Sequence, residues 1–350
     1  MIFIFFILQH KRTNVLLCCK IKNMKIIFFG TDENASLVLK DLHISSHNVL
    51  MAVTTPDKVR SRGTKKSPTP VKALCVDNKI NYSEQIPEVS YLKNLNPDVI
   101  VVASYGRIIP KEIISLPKHG SLNLHPSLLP KYRGPSPVHT AIKNGDLITG
   151  VSIITLSEKL DAGPIIEQER HAIEKEDNLK TLTRNLFVKG SNIILNILDS
   201  PTKIYEAREQ DQAKATMTKK ILKKDLHIDW SQPGEKIINH IRALDENNAA
   251  YSFLDEKRVK IYKARFLHKE SSSAYIFEGN QRFHILRGSL SVNLKEGLAV
   301  TVDNGIIIVQ ELQLEGRGRV KSSEFIRGYF SQKIKKTTDN YWRILEKKLC

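Results

Sequence analysis

From Met24 onward, short apolar runs alternate with helix-like amphipathic segments, and no other feature constrains the fold of this chain as strongly. "KIIFFG" reads as a strand ending at Gly30, "NASLVLKDLHIS" as an amphipathic helix, "NVLMAVTT" as a second strand and "PDVIVVAS" as a third. Strands that are apolar on both faces belong in a sheet covered by helices on each side. The expected first domain is therefore α/β, Rossmann-like, with a mostly parallel sheet. Ligands of such sheets sit beyond the carboxyl ends of the strands, where Tyr105, Gly106, Asn123 and His125 fall. Gly30 is followed by TDENAS, without further glycines at GxGxxG spacing, which argues against a dinucleotide site.

The stretch "SLNLHPSLLPKYRGPSPV", residues 121–138, ends an apolar strand in two polar side chains. Asn123 and His125 are two residues apart, so on a strand both leave the same face and converge. "LITGVSIITLSEKLDAGPIIEQE" then supplies two β runs joined by a turn that carries Asp161 and Gly163. An amide, an imidazole and a carboxylate are the parts that acyl transfer to an amine requires: an oxyanion donor, a group that holds or moves a proton, and a charge that orients it. Singly, each residue has a plainer reading as a turn former or a structural histidine. Their spacing and company favour a site.

These motifs, "NLHPSLLPKYRGPSPV" followed by "LDAGPI", resemble the formyltransferase family that uses 10-formyltetrahydrofolate. The likeness extends to "KIIFFGT", "VVASYGRIIP" and "SPTPVK", and covers about residues 24–325. It implies that Asn123, His125 and Asp161 are catalytic and that Tyr105, Gly106, Ser127, Leu128, Leu129 and Pro130 line the folate pocket. The chain departs from the family just after its first Gly-Thr, where Asp32, Glu33 and Asn34 stand in place of a Pro and an aromatic residue.

Beyond residue 200 the composition turns Lys-rich, and then "PGEKIINHIRAL" reads as a helix. The runs "RVKIYKARFL", "AYIFE", "RFHILRG", "GLAVTV" and "GIIIVQELQLEG" read as short strands of a small β domain, with an OB-like barrel the expected form. The expected organisation is a segment 1–23, a catalytic domain 24–207, a basic linker 208–224 and a C-terminal domain 225–350. "IDWS", "IRAL" and the β-rich tail resemble the methionyl-tRNA formyltransferase branch of the family. That resemblance implies transfer of a formyl group from 10-formyltetrahydrofolate to initiator methionyl-tRNA, with no metal, no membrane association and a monomeric enzyme. A sugar-nucleotide amine formyltransferase and a formyltetrahydrofolate hydrolase are the alternatives that the same three residues would serve.

The charge agrees with a nucleic-acid partner, since 54 Lys and Arg against 37 Asp and Glu leave a formal net charge of +17. Two basic stretches are candidate tRNA contacts. One is the loop "PDKVRSRGTKKSPTPVK" with Lys58, Arg60, Arg62, Lys65 and Lys66, and the other is the linker with Lys214, Lys219, Lys220, Lys223 and Lys224. By resemblance the loop enters the acceptor stem, with Arg62 holding the place of an arginine just before the glycine. The four cysteines show no metal-ligand spacing, so zinc and a disulfide framework are not expected. Residues 1–23 carry no acidic residue and put an apolar run ahead of Lys11 and Arg12. This order does not suit a secretory signal. The segment reads as a presequence for the mitochondrial matrix, or as upstream sequence of a cytoplasmic protein whose translation starts at Met24.

Overall fold

The computed structural model describes residues 23–59, 66–268, 275–278, 281–284, 289–293, 297–329 and 343–348. The expected targeting or upstream segment, all but Asn23, lies outside these residues, as do Arg60, Arg62 and Lys65. The first part of the chain runs β1 (Lys25–Gly30), α1 (Glu33–Ile44), β2 (Asn48–Val53), β3 (Lys58–Val59), β4 (Lys66–Ser67), α2 (Pro70–Asn78), β5 (Tyr82–Ser83), α3 (Val89–Asn94), β6 (Val99–Ala103), α4 (Lys111–Ile114), β7 (Ser121–His125), α5 (Pro137–Asn144), β8 (Ile148–Thr155), β9 (Ile165–Ala172), α6 (Leu179–Asp199) and α7 (Thr202–Tyr205).

Local chemistry accounts for these elements. Asp32 caps α1 by accepting from Ala35 N, and Ala35, Val38, Leu39 and Leu42 repeat at helical spacing to give α1 one buried face. Thr69 caps α2, with Pro70 at its first position. The seven-stranded sheet has the order β5-β2-β1-β6-β7-β8-β9. Its first five strands are parallel, whereas β8 and β9 are antiparallel to their neighbours. Phe28, Val101, Leu122 and Leu124 face the helix layer of α1 and α6, and Ile27, Phe29, Ile100 and Val102 pack on the other side. Both faces are therefore dry, as the unbroken apolar runs require.

The second part contains α8 (Gly234–Arg242), β10 (Ala250–Leu254), β11 (Lys257–His268), β12 (Tyr275–Glu278), β13 (Gln281–His284), β14 (Ser289–Asn293), β15 (Gly297–Val302), β16 (Gly305–Leu314), β17 (Val320–Lys321), α9 (Ser322–Tyr329) and β18 (Arg343–Lys348). Its main sheet has the antiparallel order β10-β11-β16-β15-β14-β18, with β17 beside β16. Trp230, Ile237, Ile241, Val259, Ile307 and Phe325 belong to a separate core. The two parts touch where Arg242 Nη1 donates to the carbonyls of Glu174 and Asp177, at 2.9 and 3.0 Å.

Residues 208–219, expected as linker, are fastened to the first part. Ile165 N donates to Arg208 O at 2.7 Å, Arg133 N to Thr216 O at 2.8 Å, Thr218 N to Arg133 O at 2.7 Å and Ser136 Oγ to Lys219 O at 2.9 Å. Polar residues that look like a solvated connection thus serve as partners for the backbone of the segment after β7. Among the described residues, no helix is long and apolar enough to cross a membrane.

Candidate active site

Strand β7 carries the first two site residues. Its residues alternate, so Leu122 and Leu124 enter the core beneath α6 while Asn123 and His125 leave the other face. Beyond its end lies a cleft of about 1050 Å3 that takes in Asn123, His125 and Asp161. One wall is the segment from Ser104 to Lys111 after β6, and the facing wall runs from Ile154 to Asp161. Lys111 and Glu158 form an exposed ion pair across these walls.

Asp161 arrives from the turn between β8 and β9, which the antiparallel register brings alongside β7. It adopts a left-handed conformation with φ of 50°. Its Oδ2 accepts from Gly134 N at 2.7 Å and stands 3.5 Å from His125 Nδ1, while Oδ1 is 3.5 Å from Asn123 Nδ2. Gly163 permits this turn, because a Cβ there would lie 1.8 Å from Thr155 O.

His125 is buried, and its Nε2 lies 2.9 Å from Tyr132 O. A carbonyl only accepts, so Nε2 carries a proton and donates. Burial pushes the imidazole below its ordinary range, outweighing the upward pull of Asp161 and of the Tyr132 carbonyl. The neutral ring then has its proton on Nε2 and its lone pair on Nδ1, beside the Asp161 carboxylate. A proton gained at Nδ1 produces an imidazolium next to a negative charge, so the pair can accept a proton and hold it.

Sequence reasoning did not assign the residues that hold Asp161 in place. Gln210 Nε2 donates to the carbonyls of Asp161 and Gly163, at 2.8 and 2.7 Å. Gln210 Oε1 accepts from Arg133 Nε and Nη2, at 3.0 and 2.7 Å, and Gln212 Oε1 accepts from Arg133 Nη1 at 2.9 Å. Arg133 is a buried guanidinium in a Pro-rich segment, a signal that it must have partners nearby. Gln210 lies in an ordinary polar run and carries no such signal.

The residues expected around the folate fall into two groups. Tyr105 and Gly106 line the cleft. Ser127, Leu128, Leu129 and Pro130 follow Pro126, which lines the cleft, and make contacts within the chain. Ser127 Oγ donates to Lys131 O at 2.6 Å, Leu129 N donates to Ser152 Oγ at 3.1 Å, and Leu128 packs where Gly150 leaves room. This segment turns the chain so that Tyr132 O reaches His125.

Lys58 and Lys66 lie on the paired β3 and β4 beyond β2. Lys214, Lys219, Lys220, Lys223 and Lys224 are exposed, and Lys214 pairs with Asp211. Among the described residues, no group of three or more His, Cys, Asp or Glu could hold a metal ion.

The family model described as formyl transferase matches residues 24–198, and that of the formyl transferase C-terminal domain matches residues 220–330. The chain is 36% identical to the methionyl-tRNA formyltransferase of Thermodesulfovibrio yellowstonii, over 90% of this chain and 98% of that protein. It is 34% identical to the Staphylococcus aureus (strain MW2) protein of the same name, over 87% and 96% of the two chains. Among solved structures it resembles an N-formyltransferase from Helicobacter canadensis in complex with folinic acid and dTDP-3-aminofucose. The TM-score is 0.59 at 20% identity, over 82% of this chain and 98% of that one. HypX from Aquifex aeolicus in complex with tetrahydrofolic acid is similar over 93% of this chain and 50% of its own, with a TM-score of 0.56 at 16% identity. At these identities the two structures speak for the fold alone.

Proposed function

Because this chain belongs to the formyl transferase family, we propose that it moves the formyl group of 10-formyltetrahydrofolate to the α-amine of methionine on initiator methionyl-tRNA. The observation that carries this reading is the 36% identity running through both halves to 98% of a methionyl-tRNA formyltransferase. The net charge of +17 supports a polyanionic acceptor.

The cleft supports the following chemistry. The neutral amine attacks the formyl carbon, and the carbonyl oxygen becomes an oxyanion to which Asn123 Nδ2 donates. The amine nitrogen gains positive charge as its new bond forms and must lose a proton. His125 Nδ1 holds the free lone pair on this edge and takes that proton, directly or through one water, and the Asp161 carboxylate stabilises the resulting imidazolium. Collapse of the tetrahedral intermediate breaks the bond to the folate nitrogen, which takes the proton from the His125 imidazolium and leaves as tetrahydrofolate, restoring the neutral imidazole. Tyr105 and Gly106, on the wall after β6, hold the donor.

The loop carrying Lys58, Arg60, Arg62, Lys65 and Lys66 and the lysines from Lys214 to Lys224 guide the acceptor end. Arg62→Ala should raise KM for charged tRNA while leaving donor binding unchanged, read from kinetics with each substrate varied separately.

Formyl transfer to charged initiator tRNA, run beside elongator tRNA and a nucleotide-sugar amine, tests the proposal. Formylation of the sugar amine alone, or release of free formate without an acceptor, would refute it.

A further inference from the structure

The edge strand β10 presents two aromatic side chains on the face turned away from its core. Ala250, Ser252 and Leu254 are buried, and Trp230 Nε1 donates to Ser252 Oγ at 2.9 Å beneath the strand. The half-buried Tyr251 and Phe253 leave the opposite face. Across the ladder Tyr251 pairs with Lys260 and Phe253 with Arg258, so each aromatic residue has a basic residue as its neighbour on β11.

His227 completes the cluster from the end of the inter-domain segment. Ile228 N donates to Tyr251 O at 2.8 Å, which lays His227 against the strand. Its ring centroid lies 5.3 Å from that of Tyr251 and 6.1 Å from that of Phe253, and the last two are 5.7 Å apart at 88°. The Arg258 guanidinium carbon sits 4.7 Å from the Tyr251 ring centroid. The exposed Lys223 and Lys224 precede His227 by a few residues.

We infer that Tyr251 and Phe253, framed by Arg258 and Lys260, form a platform on which an unpaired base of the RNA acceptor stacks. Aromatic faces accept any base, and neighbouring cations neutralise the phosphates on either side of it. A cluster made only to pack the sheet needs no basic frame, whereas an acidic peptide would use the frame but gain nothing from stacking. This inference rests on the tRNA reading above.

Equilibrium binding of deacylated initiator tRNA to the full chain, at several salt concentrations, tests it. Tyr251→Leu and Phe253→Leu keep apolar bulk but remove the ring, and each should weaken binding about tenfold with an unchanged salt slope. Tyr251→Phe should bind as the unsubstituted protein does, and Arg258→Gln should lower the log–log slope by about one. Wild-type affinity in both leucine variants overturns the platform, as does a loss of affinity that appears only as a changed slope.

Photocrosslinking of the unsubstituted protein to 4-thiouridine-containing tRNA needs no variant, so it decides the question even if the leucine variants fail to fold. Adducts at Tyr251 or Phe253 are expected, and adducts confined to other segments refute the proposal. If the unsubstituted protein does not bind tRNA at all, the functional reading itself fails, an outcome separate from failure of the platform.

Discussion

Gln210 donates through one amide nitrogen to both carbonyls that bracket the turn, Asp161 O at 2.8 Å and Gly163 O at 2.7 Å. The carboxylate beside His125 is thus fixed by a residue 49 positions further along the chain. Arg133, two bonds deep on the same glutamine, fixes the amide in turn.

This relationship sets apart positioning from folding. Gln210→Glu keeps an acceptor for Arg133 but replaces the donor with an oxygen facing two carbonyls. Turnover should fall by up to about 10²-fold with KM for either substrate little changed, because the reacting groups are displaced while binding surfaces remain. Gln210→Leu leaves the buried guanidinium short of partners and should lower stability by about 2–4 kcal/mol. Steady-state kinetics and thermal unfolding of both variants separate the two effects.

Asn123→Ala and His125→Ala should each lower turnover by about 10²- to 10³-fold, the usual cost of losing one group that stabilises developing charge. Asp161→Asn keeps the side-chain volume and removes the charge. It should cut turnover strongly while the unfolding temperature changes little. A drop in stability with turnover intact would make Asp161 a turn residue only.

Gly163→Ala must move backbone, because the new methyl group would meet Thr155 O at 1.8 Å. The expected cost is about 1–3 kcal/mol, together with a loss of activity as the turn shifts Asp161. Chemical denaturation and an activity assay on the same preparation check this.

Stability should fall on acidification. Burial pushes His139 on α5 down to about 4, with Lys143 and His240 adding to the effect and Asp225 opposing it. His240 on α8 is lowered mainly by burial, and also by Lys143 and His227, against Leu226 and Asp225. The Nε2 atoms of both rings are buried without a hydrogen-bond partner, as suits neutral imidazoles. Unfolded histidine titrates near 6.5, so the unfolded chain binds protons more readily than the folded one below that pH. The stability these residues contribute is full above about pH 6.5 and is lost as pH falls towards 4. Thermal unfolding between pH 7.5 and 4.5 should show the decline, and His139→Gln should make it shallower.

Much of this was legible because periodicity marks which side chains meet. The alternation in "SLNLH" places Asn123 and His125 together, and the turn in "KLDAGPI" locates Asp161. The groups that complete the site are harder to read. Tyr132 contributes a carbonyl and Gly134 an amide, which every residue possesses, so neither has a side-chain mark. Gln210 reaches Asp161 only after the chain has returned through α6. The resemblance assigns Ser127–Pro130 to the folate, a role that their hydrogen bonds to Lys131 and Ser152 do not by themselves reveal.

The fastening of residues 208–219 to the first half has a bearing on chain scission. A protease nick, or two separately expressed fragments, divided at residue 207 would strip away Gln210, Thr216 and Thr218, leaving Asp161 and Arg133 without their clamp. The same division placed after Lys219 would leave that clamp whole. Modularity in this protein therefore begins about a dozen residues later than the last helix of its first half suggests, and a recombinant catalytic fragment must include that strap to retain its chemistry.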